Sequence, residues 1–157
     1  MSAPKLVNLA DLAWRTRSRS ERITVDLKDP ARHLGSAVCG LVIERVAPGK
    51  QASPLHRHRL QEEIFLILAG TGLLRHGGQD IPVRPADVIL YTPGDPAAHT
   101  FINDGCEPLE YVATGSRVPY EVCEYPEDGT VYVEALDKTL RNEAVQSLHT
   151  AIETSGR

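Results

Sequence analysis

The chain has 157 residues, with 17 Lys plus Arg against 21 Asp plus Glu, a formal charge of -4. That length carries a domain with a real core. The acidic balance excludes a general nucleic-acid footprint, and no run reaches the ~18 apolar residues of a membrane-spanning helix. Cys39, Cys106 and Cys123 are widely spaced and odd in number, which argues against a disulfide framework. The opening MSAPKLVNLADLAW has no long apolar stretch of a secretory leader, so the expectation is a cytoplasmic protein without nucleic-acid or membrane partners.

From the N-terminus, residues 1–34 read as an arm. Within it, NLADLAW (8–14) predicts one short helical turn capped by Asn8. The basic cluster WRTRSRSER (14–22) reads as a solvated segment, with contact to an anionic partner as the alternative. Residues 35–134 then alternate short Val-, Ile-, Leu- and Tyr-rich runs with turn signals. The predicted strands are 37–46, 62–70, 72–77, 79–84, 87–92, 98–103, 109–115, 120–125 and 130–136, separated by sequences such as APG, HGG, RPAD, TPGD, NDG and PEDG. Many short strands at close spacing predict an all-β sandwich or barrel. Neither a βα rhythm nor a Gly-rich loop opening a helix is present, which disfavours a P-loop or dinucleotide-binding unit. In the tail, 135–157, Leu136, Leu140, Ala144, Leu148 and Ile152 recur every four residues and predict an amphipathic helix.

Chemistry concentrates in SPLHRHRLQEEIFLILAGTG, Ser53 to Gly72. Side chains alternate sides along an extended segment, so His56 and His58 share a direction. In the following run, Glu63, Phe65 and Ile67 share one face, while Ile64, Leu66 and Leu68 share the other. Both faces are apolar beyond Glu63, so the strand needs cover on both sides, and a homodimer is expected. Glu62 falls on the face opposite Glu63. About forty residues on, TPGDPAAHTFIND places His99, Phe101 and Asn103 on one face of another strand. Three imidazoles and a carboxylate suit Mn, Fe, Co, Ni, Cu or Zn, and ligand type alone does not choose among them.

These two stretches resemble the paired motifs of the cupin superfamily. The first appears as Gly49, His56, His58, Glu63 and Gly70, with one residue more than usual between the first glycine and histidine. The second appears as Pro85, Asp87, His99 and Asn103, with Ala86 where the family usually has glycine. The resemblance implies a double-stranded β-helix, or jelly-roll barrel, over residues 35–134 with short helical segments at the termini. It implies one divalent transition metal per chain, held by His56, His58, Glu63 and His99. Gly49, Gly70, Pro85, Asp87 and Asn103 take structural roles.

Phe65, Ile67 and Phe101 are pocket candidates. Tyr91 and Tyr111 are weak candidates for proton transfer, and Asp95 in its PG turn is a weaker one. Gln51, Ser53 and nearby carbonyls are candidates to orient the imidazoles. His33, His76 and His149 match nothing, and His76 in its HGG turn is expected to be exposed. Cys123 is expected to be buried rather than nucleophilic. The implied function is a metal-dependent isomerase or dioxygenase-type enzyme on a small oxygen-rich molecule. The alternative is a non-catalytic binder or sensor.

Overall fold

The computed structural model describes residues 3–142. Asn8 caps a single 3-10 turn, Leu9–Asp11, its side chain accepting the Ala10 N–H. Two strands follow, β1 (Arg15–Ser18) and β2 (Thr24–Lys28), and then a short helix α1 (Pro30–Leu34) capped by Asp29. The remaining strands are β3 (Cys39–Val46), β4 (Arg57–His58), β5 (Glu63–Ala69), β6 (Gly72–His76), β7 (Gln79–Val83), β8 (Val88–Tyr91), β9 (His99–Ile102), β10 (Leu109–Ser116), β11 (Val122–Tyr125), β12 (Thr130–Val133) and β13 (Lys138–Arg141). They assemble into three sheets with orders β1-β2-β3-β10-β5-β8, β13-β12-β11-β4 and β7-β6-β9.

The long alternating runs behave as the side-chain period of a strand requires. On β5, Phe65 and Ile67 are buried while Ile64, Leu66 and Leu68 are exposed. The inward residues join Val25, Val46, Leu74, Val83, Tyr91, Phe101, Leu109 and Tyr111 in one core. Burying a Leu- or Phe-sized side chain is worth about 1.5–3 kcal/mol, so this cluster dominates the cohesion between sheets.

Three sequence expectations change. Residues 15–28 are not an arm: β1 and β2 extend the six-stranded sheet, pairing through Thr16↔Asp26 and Asp26↔Arg45. β1 is RTRS, exposed throughout, and so carries no apolar alternation to betray it. The helix expected from residue 135 does not begin there: Glu134–Leu136 is a 3-10 turn, and Lys138–Arg141 pairs with β12 as a strand. The rest of that expected helix lies outside the described residues. The expected barrel resolves into a mostly β-sheet architecture of three sheets with a short helix.

Two motif turns can be checked directly. Ala86 adopts φ 75°, the left-handed conformation that alanine disfavours. Bonds from Ala86 N–H to the Ile67 carbonyl (2.9 Å) and from Arg84 N–H to Asp87 Oδ2 (2.9 Å) hold it there. Asn103 is fully buried. Its Nδ2 donates to the carbonyls of Val46 (2.7 Å) and Glu107 (2.8 Å), and its Oδ1 accepts from Gly105 N–H (2.9 Å). Asn103→Ala strands these buried groups and should cost about 2–4 kcal/mol in urea unfolding. A loss below ~0.5 kcal/mol would show that the three bonds are replaced by water.

Candidate metal centre

Each sheet delivers one part of the site. His58 ends β4, where it pairs with Cys123 of β11 in the four-stranded sheet. Glu63 opens β5 in the six-stranded sheet, and His99 opens β9 in the three-stranded one. His56 is tied to His99 by a reciprocal pair of backbone hydrogen bonds, 3.2 and 2.7 Å, which fixes the two imidazoles side by side. Ring centroids lie 4.7 Å apart for His56 and His99, 5.2 Å for His56 and His58, and 6.5 Å for His58 and His99. One ligand atom from each of His56, His58 and Glu63 lies within 4.8 Å of the others.

The fourth group also meets this cluster. His99 Nε2 lies 3.1 Å from Glu63 Oε2, and His58 Nε2 lies 3.4 Å from the same oxygen. The outer nitrogens have distinct environments. His56 Nδ1 lies 3.0 Å from the Pro54 carbonyl and 3.3 Å from Ser53 Oγ, so its N–H is directed away from the cluster and Nε2 is left to face it. Gln51 supports that loop by donating to the Ser53 carbonyl at 2.6 Å. His58 Nδ1 sits 3.4 Å from Glu121 Oε1 without hydrogen-bond geometry, and His99 Nδ1 is buried without a partner. A buried set of nitrogens and one carboxylate around a shared point is the donor chemistry of a divalent transition-metal site.

Charge follows burial. Desolvation, reinforced by the neighbouring His99, pushes the His56 pKa down to about 3, so its imidazole is neutral at physiological pH. Burial opposes ionisation of Glu63. The His99 hydrogen bond and the three surrounding imidazoles outweigh it and hold the carboxyl at about 2. Metal-free protein should therefore lose stability in acid. The unfolded chain binds a proton at His56 near 6.5, which the folded chain resists down to about 3. The contribution of Glu63 is complete above about 4.5 and is lost as pH falls toward 2. Thermal midpoints of chelator-treated protein should fall between pH 6.5 and 3, and a flat or rising profile would contradict this assignment.

The cluster opens into a cavity of ≈ 610 Å³. Phe65, Phe101 and Tyr111 line it, whereas the pocket candidate Ile67 is packed into the core and is not part of the lining. Tyr91 stands behind the site, its ring stacked on His99 at 3.8 Å. Its hydroxyl meets His76 Nδ1 at 3.0 Å, so His76 is a partly buried hydrogen-bonded residue rather than an exposed one. Burial raises the Tyr91 phenol above its ordinary range. Asp95 acts within its turn, accepting the Ala97 N–H at 2.8 Å. Cys123 lines the cavity, but burial pushes its thiol up to about 12, against its Tyr125 hydrogen bond, so the reactive thiolate is disfavoured.

Two buried carboxylates that line the cavity were not singled out by sequence. Glu44 shares the inward face of β3 with Val42 and Val46. It accepts from Tyr111 Oη (2.6 Å) and Arg17 Nη2 (2.7 Å). Glu121, beside His58, accepts from the backbone N–H groups of Arg59 (2.8 Å) and Leu60 (3.1 Å). Parity on β3 was an available signal for Glu44. Glu121 precedes its strand and gave none.

A cupin-domain family matches residues 42–115, a span that contains the whole cluster. An oxalate-binding protein from Thermotoga maritima is 33% identical over 69 residues, covering 44% of this chain and 54% of that protein. The chain thus spans about half the length of the curated relatives it matches. A structure from Acidithiobacillus ferrooxidans, provisionally described as a sugar phosphate isomerase, superposes with a TM-score of 0.83 at 22% identity, covering 91% of this chain and 96% of that one. A cupin-superfamily sugar phosphate isomerase from Silicibacter pomeroyi gives 0.79 at 22% identity, covering 93% and 98%. At that identity the two structures speak for the fold. Residues 42–115, which hold the motif residues gathered at this point, thus match a cupin domain, and the fold around them is shared with the two structures over nine-tenths of the chain.

Proposed function

We propose that the protein is a metal-dependent enzyme that isomerises a small hydroxycarbonyl compound. His56, His58, Glu63 and His99 hold one divalent ion of Mn, Fe, Co, Ni, Cu or Zn. The observation that carries this reading is the convergence of donor atoms from His56, His58 and Glu63 within 4.8 Å, with His99 Nε2 3.1 Å from Glu63, at the wall of a ≈ 610 Å³ cavity. The likeness in fold to proteins described as sugar phosphate isomerases supports isomerisation as the reaction class. When bound, such an ion supplies Lewis acidity to adjacent substrate oxygens.

The chain's own groups have separable tasks in this reading. His56, His58 and His99 donate nitrogen lone pairs, and Glu63 balances charge, which removes it from service as a free base. Tyr111 donates its hydroxyl proton to Glu44 in a 2.6 Å hydrogen bond on the cavity wall, where the hydroxyl can hold a proton near a bound ligand. Phe65 and Phe101 exclude water from the inner end. The three sheets form the jelly-roll barrel around this cavity.

Metal-loaded protein incubated in D2O with small aldoses and ketoses should exchange the hydrogen next to the carbonyl and interconvert the pair. Oxygen uptake on the same panel with Fe or Mn would instead favour the dioxygenase reading, which uses the same donor set. Saturable ligand binding with neither exchange nor oxygen uptake would favour a non-catalytic binder.

A second copy of the chain is proposed to cover the outer face of β5 and β8. Register pairs Ile64 with Leu90 and Leu66 with Val88, and all four side chains are exposed at the edge of the six-stranded sheet. A two-fold axis there would match the patch to itself and close the free edge. Leu66→Arg should convert a dimer into a monomer by analytical ultracentrifugation. A monomeric parent protein at micromolar concentration would remove the proposal.

A further inference from the structure

The cavity that meets the candidate metal centre also receives the N-terminal hairpin. Arg17 and Arg19 line it, and apart from the histidines they are its only cationic lining groups among the described residues. Arg17 is oriented from below. Its Nη2 donates to Glu44 Oε1, and Glu44 is itself fixed by Tyr111 Oη on its other oxygen. Arg19 is oriented from the side, with Nη2 3.2 Å from Asp128 Oδ2 and its guanidinium 5.3 Å from the centre of the Tyr125 ring. The Tyr125 ring in turn stacks 6.1 Å from that of His56. The Arg19 fork therefore stands one aromatic ring away from the imidazole cluster.

The acids on the same walls are already occupied. Glu44 is shared between Arg17 and Tyr111, Glu121 is held by two backbone N–H groups, and Glu63 belongs to the histidines. Among the described residues, only Glu134 lines the cavity as an exposed carboxylate. The two guanidiniums show the reverse. Both are about half exposed, and the side-chain contacts of each use Nη2, which leaves Nε–H and the other Nη pointing to no protein acceptor among the described residues. A planar fork fixed on one edge, with donors remaining on the other, is suited to a two-oxygen anion.

We propose that Arg17 and Arg19 form an anion subsite, which takes the carboxylate or phosphate head of a small molecule whose other end lies at the histidine cluster. This rests on the reading of the cavity as a substrate site and narrows it to anionic substrates. Pre-organised guanidiniums lower the ordering cost of binding, because Glu44 and Asp128 already restrain them.

The test uses metal-free protein, so that an anion cannot be retained by a metal ion. Arginine Nε–H resonances are followed by NMR while inorganic phosphate, and separately acetate, is added at constant ionic strength. Saturable shifts of the Arg17 and Arg19 signals are expected, and the stronger of the two anions identifies the head group. Arg17→Lys and Arg19→Lys keep the charge and the partner for Glu44 or Asp128 but lose the fork. Each should weaken binding of that anion at least about fivefold without altering the thermal midpoint by more than a degree or two. Absence of saturation with both anions, or equal affinity in the lysine variants, overturns the proposal. Metal uptake is measured on the same samples. Uptake by parent and variants alike with no anion binding rejects the subsite alone, whereas no uptake by any of them rejects the metal-centre reading and leaves the anion result to stand or fall on its own titration.

Discussion

Protein carrying His56→Ala, stripped with a chelator and then offered a divalent transition metal, should bind it at least ~100-fold more weakly than the parent. Loss of groups that merely orient a ligand costs about 10–100-fold, and loss of the ligand itself should exceed that. His56 is the sharpest place to cut. Its Nδ1 is committed to Pro54 and Ser53, its Nε2 faces Glu63 and His58, and its imidazole is neutral and ready to donate. Glu63→Gln should be comparably severe, because it keeps the volume but removes the one negative charge touching both His58 and His99. Glu62→Gln is the control. That residue is exposed on the opposite side of the chain, so metal affinity should not change. Competition with a coloured chelator gives the constants, and circular dichroism checks that the variants fold. Equal uptake by the parent and His56→Ala would remove the four-ligand assignment.

Gly70→Ala is expected to be the most damaging single change outside the site. Gly70 has φ 73°, and a Cβ there would lie 2.2 Å from the Pro108 carbonyl oxygen and 2.9 Å from its carbon. Those are backbone atoms next to the start of β10, so no rotamer change relieves the clash. The left-handed conformation costs an alanine about 1–2 kcal/mol, and forced displacement of packed backbone adds about 1–3 kcal/mol. Gly49→Ala separates the two effects. It has φ 75° but nothing within 4 Å of the added carbon, so only the conformational cost applies. Urea unfolding should place Gly70→Ala about 1–3 kcal/mol below Gly49→Ala. Equal losses would mean that the approach of Pro108 relaxes freely.

The pattern of what was legible in the sequence follows from these same forces. Apolar alternation exposed most of the strands that bury one face, including the division of β5 into Phe65 and Ile67 inward and Ile64, Leu66 and Leu68 outward, but β2 was passed over although Val25 and Leu27 are buried on one face of it. It was blind to β1 and β13, whose residues RTRS and KTLR are exposed along their whole length and are set by pairing alone. In the tail, Leu136 and Leu140 fit a helical period, yet Leu140 pairs with Val131 as a strand residue. Motif spacing gathered the site candidates because the two stretches each begin a strand or a bridge. The partners around them come from other strands and turns, some distant in the chain: Glu121 to His58, Arg17 to Glu44 and, nearer, Tyr91 to His99. No local pattern encodes such pairs. They arise only when the sheets meet.

That meeting has a consequence for the order of folding. His58, Glu63 and His99 each belong to a different sheet, and β4, the strand that carries His58, pairs with β11 across more than sixty residues of chain. No single sheet, however well formed, contains enough donors to grip an ion. Coordination would then favour only the fully docked chain, and ion capture would be among the last events of folding rather than a nucleus for it. A bound ion would act as a rivet through three plates: absent while they are being made, and holding all of them once they are aligned.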